Sequence, residues 1–154
     1  MTDQTWGAPA AADTLITGAA MNALASGAGV VGAEVDNSTA RYPFMDIFLS
    51  VDTDRASSGT TARIDFYLMA APDGSNYADP PGSTALDVTP GYFIGSLPSV
   101  KQDGTVTNFL SGWLRRVEIP PFKFKIVMVQ TLGVAFPSNS NAVCRGYRYG
   151  FSFA

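Results

Sequence analysis

The feature that most constrains this chain is an alternation of apolar and basic side chains over residues 122–128. Four apolar residues share one phase and two lysines share the other: Phe122, Phe124, Ile126 and Met128 against Lys123 and Lys125. A period of two is typical of a β-strand with one buried face, because successive side chains point to opposite sides of the sheet. Segments 46–52 and 63–69 repeat the pattern, with Phe48 as the one exception in 46–52. The predicted core is the apolar phase of these three strands: Ile47, Leu49, Val51, Ile64, Phe66, Leu68, Phe122, Phe124, Ile126 and Met128.

The rest of the chain also favours strands. Further β-rich runs cover 92–94, 105–119 and 147–153, and turn signals such as Asp73-Gly74 separate the runs. With 154 residues, the chain is long enough for one domain with a hydrophobic core. Many short strands with polar turns predict an all-β fold, an antiparallel β-sandwich or barrel, and a jelly roll is our preferred architecture.

Composition divides the chain after residue 40. Residues 1–40 are rich in Ala and Gly and contain four acidic residues but no Lys or Arg, whereas 41–154 contains all ten basic residues. We expect 41–154 to form the β-sandwich domain, and 1–40 to form an N-terminal arm that is mobile in the free protein and fastens it to its neighbours. The one helix candidate is 13–25, capped by Asp13. The alternative is that 1–40 folds back and completes the sheet of its own chain.

Composition also excludes several classes of function. The net charge is −3 and the pI about 4.7, which does not suit a general nucleic-acid binder. There is no histidine, so a nucleophile–His–acid triad is impossible, and the single Cys144 allows neither an internal disulfide nor a Cys/His metal site. The purest apolar run, 126–129, is far too short to cross a bilayer, and no basic start precedes an apolar run as in an export signal. We therefore expect contacts with neither nucleic acid nor membrane.

Two weak chemical options remain among the acidic residues. Asp46 and Asp65 lie on outward phases of predicted strands and would form a hydrolytic carboxylate pair if they met across a sheet, although such residues are ordinarily solvated. Segments 52–54 and 73–79 carry oxygen ligands at spacings that suit a calcium loop, but Asp, Asn and Gly are also what tight turns require. We expect no catalytic residue, no metal and no cofactor, and so no enzyme.

Basic and aromatic residues are better candidates for contact with a partner. Arg115, Arg116, Lys123 and Lys125 suit the protection of a sheet edge or an interface with acidic neighbours. Exposed aromatic rings hold sugars in some proteins, but in a small sandwich they more often anchor the core or an interface. Six aromatic residues are candidates for exposure: Trp6, Tyr42, Tyr77, Trp113, Tyr147 and Tyr149.

Several short motifs follow one another in a fixed order along nearly the whole chain. They are Trp6, then LASGA at 24–28, DNST at 36–39, IDFYL at 64–68, APDGSNY at 71–77 and IPPFKFK at 119–125. Together they resemble a family of small structural proteins of tailed-bacteriophage virions, the capsid decoration or cement proteins. Each motif alone is a weak signal. The family often has Gly after the Pro-Pro pair, where this chain has Phe122, a departure that affects the local turn rather than the fold.

The resemblance implies a β-sandwich without catalysis or cofactor that is assembled in the reducing cytoplasm of the bacterial host, which suits a lone cysteine. It implies a protein on the capsid surface of the virion that binds the outer surface of the major capsid protein and stabilises the shell, as a homotrimer. The alternative is a carbohydrate-binding adhesion module on the tail or the capsid surface. The residues we predict at the partner interface are Trp6, Leu24, Arg115, Arg116, Lys123 and Lys125.

Overall fold

The structure is a computed structural model, and it describes residues 4–7, 9–53, 62–77, 92–98, 108–138 and 142–153. Within these ranges the chain forms ten strands and one short helix. The elements are β1 (Gln4–Trp6), β2 (Asp13–Ile16), α1 (Gly18–Met21), β3 (Gly29–Val35), β4 (Phe44–Thr53), β5 (Arg63–Ala71), β6 (Tyr92–Pro98), β7 (Asn108–Glu118), β8 (Lys123–Gln130), β9 (Val143–Tyr149) and β10 (Phe151–Phe153). None of the described helical segments is long and apolar enough to span a membrane.

Eight of the strands form two antiparallel sheets of four. We call the sheet with the order β2-β9-β4-β7 the front sheet and the sheet with the order β3-β8-β5-β6 the back sheet. The pairs are nested along the chain, because β1 pairs with β10, β2 with β9, β3 with β8, β4 with β7 and β5 with β6. From β2/β9 inward, successive pairs alternate between the two sheets, which is the connectivity of a jelly roll. The predicted all-β sandwich is confirmed.

The core lies between the two sheets and follows the alternation in the sequence. The predicted core residues of β4, β5 and β8 are all buried, whereas Phe122 precedes β8 and is half-buried. Phe66, Phe124 and Phe136 are the largest buried side chains. Burying a side chain of this size contributes about 1.5–3 kcal/mol to stability.

Two fully buried polar side chains hold loops to this core. The Gln130 amide donates hydrogen bonds to the carbonyl oxygens of Leu24 and Val134, at 2.7 and 2.9 Å, and its oxygen accepts one from the Leu132 N–H. The Asn37 amide donates to two carbonyl oxygens at 2.8 Å and accepts from the Tyr42 N–H. Buried polar groups are costly unless bonded in this way, so both residues fix the course of the chain.

The N-terminal segment lies in the sheets of its own chain and does not extend as the arm we expected for 1–40. β2 is the edge strand of the front sheet beside β9, and β3 is the edge strand of the back sheet beside β8. Strands from 1–40 and from 41–154 therefore share both sheets, which is the alternative we had kept open. The reason is that Leu15 and Ile16 bury their side chains completely, so the segment gains apolar burial that its small residues alone do not suggest.

The helix predicted for 13–25 is reduced to the four residues of α1. The sequence expectation was wrong about its start because Asp13 begins a strand instead. Thr17 is the N-cap, and its side-chain oxygen accepts a hydrogen bond from the Ala20 N–H at 3.3 Å. A single turn of helix is not stable by itself, so α1 depends on the burial of Met21 in the core.

Candidate interaction surface

The outer side of the front sheet carries an aromatic cluster. Phe48 on β4 lies opposite Trp113 on β7 and opposite Arg145 on β9, so three side chains form a row across the sheet. The ring centroids of Phe48 and Trp113 are 4.7 Å apart, and those of Trp113 and Tyr147 are 5.6 Å apart. The Trp113 side chain is 40% exposed, a high value for tryptophan, which is mostly buried in folded proteins.

A β-bulge on β7 brings two arginines against one carboxylate. The β4–β7 register shifts between Met45 and Ile47, so Asp46 faces both Arg115 and Arg116. Asp46 Oδ2 lies 2.8 Å from the Arg115 guanidinium, and Asp46 Oδ1 accepts a hydrogen bond of 2.8 Å from the Arg116 N–H. Arg116 has a φ of 54°, which is uncommon for a residue with a side chain and is held here by that bond.

The same carboxylate has an altered pKa. Partial burial acts to raise the pKa of Asp46, but hydrogen bonds from the Arg116 N–H, the Arg115 side chain and the Tyr149 hydroxyl outweigh it, and the pKa lies below its ordinary value. Burial and the same hydrogen bond to Asp46 raise the pKa of Tyr149. Asp46 is therefore ionised at neutral pH and serves as the acceptor that organises the bulge.

Both arginines of the bulge also lie over aromatic rings. The Arg115 guanidinium is 4.3 Å from the centre of the Trp113 ring, and that of Arg116 is 5.1 Å from the centre of the Phe44 ring. Phe44 in turn lies 6.0 Å from Tyr149. We call this surface the aromatic–arginine face and define it by nine residues: Phe44, Asp46, Phe48, Trp113, Arg115, Arg116, Arg145, Tyr147 and Tyr149.

The four basic residues predicted at an interface separate into two pairs. Arg115 and Arg116 lie on the aromatic–arginine face, whereas Lys123 and Lys125 lie on β8 in the back sheet. Lys123 Nζ is 2.8 Å from a carboxylate oxygen of Glu34 on β3. The sequence predicted these lysines at a sheet edge or at an interface with acidic neighbours, and the acid that Lys123 contacts belongs to its own chain.

A turn after β5 lies over Lys125. The Lys125 ammonium is 4.3 Å from the centre of the Tyr77 ring, and the Tyr77 hydroxyl donates a hydrogen bond of 2.6 Å to Glu34. Hydrogen bonds from Lys123 and Tyr77 hold the pKa of Glu34 below its ordinary value. The turn itself is organised by Asp73, which accepts bonds from the N–H groups of Asn76 and Ser75, and these bonds lower its pKa to about 2.

The remaining two predicted interface residues lie on the N-terminal segment. Leu24 is half-buried against the core of its own chain, and its carbonyl oxygen accepts hydrogen bonds from Gln130 and from the Phe136 N–H. Trp6 lies on β1 with its backbone opposite Phe151 on β10, and its side chain is outside the described residues. Leu24 thus lies away from the aromatic–arginine face, and for Trp6 the structure gives only the course of the backbone.

The acidic constellations weighed from the sequence are separated or serve turns. Asp46 is on the outer side of the front sheet and Asp65 on the outer side of the back sheet, so the core lies between the two carboxylates. Asp65 is instead paired with Arg63 at 2.9 Å. No group of three or more potential metal ligands occurs among the described residues, which leave out residues 54 and 79 of the two calcium-loop candidates. Asp73 is engaged in the turn described above.

Cys144, the single cysteine, is buried in the core on β9. Burial raises the pKa of its thiol to about 12, so the sulfur is protonated and unreactive at neutral pH. Its position fits a small apolar residue of the core.

Four residues of the aromatic–arginine face were not singled out as interface candidates from the sequence: Phe44, Asp46, Phe48 and Arg145. Phe48 carried a signal, because it is the exception to the alternation of β4, and a large apolar residue on a polar phase lies on the outer side of the sheet. Arg145 carried none, since its place beside Phe48 depends on the pairing of β9 with β4 across about 96 intervening residues. Comparison with protein-family models gives no match, and comparison with curated proteins gives none either.

Proposed function

We propose that this chain is a structural protein of a tailed-bacteriophage virion, a capsid decoration protein that binds the outer surface of the major capsid protein and stabilises the shell. The observation that carries the proposal is the aromatic–arginine face on the outer side of the front sheet, where Trp113 and the three arginines are exposed and the other aromatic rings are half-buried. These residue types are enriched where proteins bind one another, and Trp, Tyr and Arg dominate the binding energy of such interfaces.

The body that presents this face suits a displayed structural protein. Its two sheets are closed by nested pairs of strands, and the described N-terminal and C-terminal strands pair with each other. This pairing holds β1 and β10 in place. The motifs that resemble the decoration family support the proposal, as does the agreement between the expected β-sandwich and the fold. The homotrimer and the assembly in the host cytoplasm belong to the same proposal.

A second candidate function is carbohydrate binding by an adhesion module on the tail or capsid surface. The specific observation in its favour is the exposure of the Trp113 ring beside Phe48 and Tyr147 on an open sheet face. Aromatic rings in such positions stack on sugars, and jelly rolls include lectin domains. The fold alone does not choose between the two functions, because one fold supports many sites.

The copy number on purified particles tests the first proposal and separates it from the second. A stained gel of purified virions, with the major capsid protein as internal standard, is expected to give hundreds of copies per particle. Immunogold labelling of the same particles is then expected to cover the whole shell. A few copies confined to the tail support the adhesion module, and a chain that is missing from purified particles contradicts both functions.

The trimer is tested separately by sedimentation equilibrium of the purified chain. Its monomer has a mass of 16.3 kDa. We expect a species of three times that mass, whereas a monomer across the accessible concentration range contradicts the trimer but leaves binding to the shell open.

A further inference from the structure

Arg145 differs from the other basic residues that the structure describes. Each of the others has a partner within the chain: Arg41 with the Ser38 carbonyl, Arg63 with Asp65, Arg115 with Asp46, Arg116 with the Phe44 ring, Lys123 with Glu34, Lys125 with the Tyr77 ring and Arg148 with Asp13. Arg145 is exposed and has no ion pair, hydrogen bond or ring contact with the described part of the chain.

The position of Arg145 is also defined by the sheet. Its backbone lies between Thr14 on β2 and Phe48 on β4, so the guanidinium lies beside the aromatic cluster. Because β9 is paired on both sides, the backbone of Arg145 is held in place, which lowers the entropy lost when a partner binds. Arg145 is thus a cation at a fixed position next to aromatic rings, and no described residue pairs with its charge.

The charge of the face points to an acidic partner. Arg115, Arg116 and Arg145 stand against Asp46, which is already engaged by the bulge, so the face is basic on a molecule whose net charge is −3. A second copy of the chain that used the same face would place arginines against arginines across a twofold axis. Like charges in contact repel one another, which disfavours this arrangement.

The geometry of the rings favours a protein over a sugar. The Arg115 guanidinium already covers one side of the Trp113 ring at 4.3 Å. The planes of Phe48 and Tyr147 are tilted by 43° and 41° from that of Trp113, so the three rings form no flat platform on which a sugar could stack. Tilted rings beside arginines suit the side-chain packing of a protein–protein interface.

We propose that the aromatic–arginine face docks onto an acidic surface of the shell protein, with Arg145 paired to a carboxylate of the partner and Trp113 inserted as the apolar anchor. This inference rests on the proposed function, because it names the surface and the chemistry of the same contact. Asp46 acts as a positioning residue, since it holds Arg115 over Trp113 and fixes the bulge.

The test uses the full-length chain and shells assembled without it, with bound protein measured by sedimentation. Arg145→Glu and Trp113→Ala are expected to weaken binding by about 10- to 100-fold, as truncation of interface anchors does. Arg41→Glu reverses an exposed arginine outside the face, and Tyr92→Ala removes a ring that is 75% exposed on the back sheet. Both controls are expected to bind within about twofold of the unchanged chain. Circular dichroism melts of all four variants establish that each is folded.

The outcomes are distinguishable. Selective loss in the two face variants, together with weaker binding of the unchanged chain in high salt, supports the proposal. If the unchanged chain binds and all four variants bind equally, the docking surface is wrong while the proposed function stands. If the unchanged chain does not bind shells, the proposed function fails and the docking surface fails with it. Binding that soluble host polysaccharide competes away, or self-association that Arg145→Glu abolishes, assigns the face to a sugar or to a second copy and overturns the inference.

Discussion

The outer sides of the two sheets differ in where their basic residues find partners. On the back sheet, Lys123 and Lys125 are held by Glu34 and the Tyr77 ring, so their charges are satisfied within the chain. On the front sheet, Arg115 is held by Asp46, while Arg145 on the same face has no partner among the described residues. The comparison teaches that a basic residue is a candidate for an interface only if no acidic or aromatic side chain of its own chain already pairs with it.

The largest effect is expected from breaking the core that supports both outer sides. Phe124→Ala removes a fully buried ring of β8 and is expected to lower the free energy of unfolding by about 3–5 kcal/mol. Phe122→Ala is the matched control, because this ring precedes β8 and is only half-buried. Urea unfolding measures both. An equal cost for the two substitutions contradicts the register of β8 described here.

The next effect concerns the acid that organises the front sheet. Asp46→Ala removes the acceptor of hydrogen bonds from the Arg116 N–H and the Arg115 side chain. The positive φ of Arg116 is then no longer stabilised by a hydrogen bond to Asp46. We expect a loss of about 1–3 kcal/mol in the free energy of unfolding, the range for hydrogen bonds to a charged group. Asp46→Asn keeps an acceptor and is expected to cost less. A cost for Asp46→Ala no greater than for Asp46→Asn contradicts a role in holding the bulge.

The same network predicts a dependence of stability on pH. The pKa of Asp46 is lower in the folded protein than its ordinary value of 3.8. Its contribution is therefore fully present above that value and is lost as pH falls through the lower folded-state pKa. Urea unfolding between pH 5 and pH 2 is expected to show falling stability, with a shallower fall in Asp46→Asn. Equal slopes in the two proteins contradict the assignment.

Much of this architecture could be predicted from the sequence, because the alternation of β4, β5 and β8 is local. The apolar phases of those strands all became core, and Phe48 was visible as an exception. The N-terminal strands were predicted only as the alternative in which 1–40 folds back, since β2 and β3 have short apolar runs whose burial depends on distant β9 and β8. The separation of the predicted interface lysines from the arginines was not predictable for the same reason. The contact of Lys123 with Glu34 depends on the pairing of β3 with β8, two strands that are distant in the sequence.

The smallest effect is expected on the back sheet. Lys125→Ala removes an ammonium that lies over the Tyr77 ring and is expected to change the free energy of unfolding by no more than about 0.5 kcal/mol. Its binding to shells is expected to equal that of the unchanged chain, because its charge is already satisfied within the molecule. A marked loss of shell binding with unchanged stability would place the docking surface on the back sheet and reverse the comparison.

Hydroxyl-radical footprinting of the free and the shell-bound chain tests the central claim most directly, because it reports on an exposed ring of each sheet in one experiment. The account predicts that oxidation of Trp113 falls by more than about threefold on binding, since an interface anchor loses contact with water. Oxidation of Tyr92, which is exposed on the back sheet, is predicted to stay unchanged. Protection of Tyr92 with Trp113 still oxidised at its free rate would contradict the assignment of the aromatic–arginine face as the docking surface.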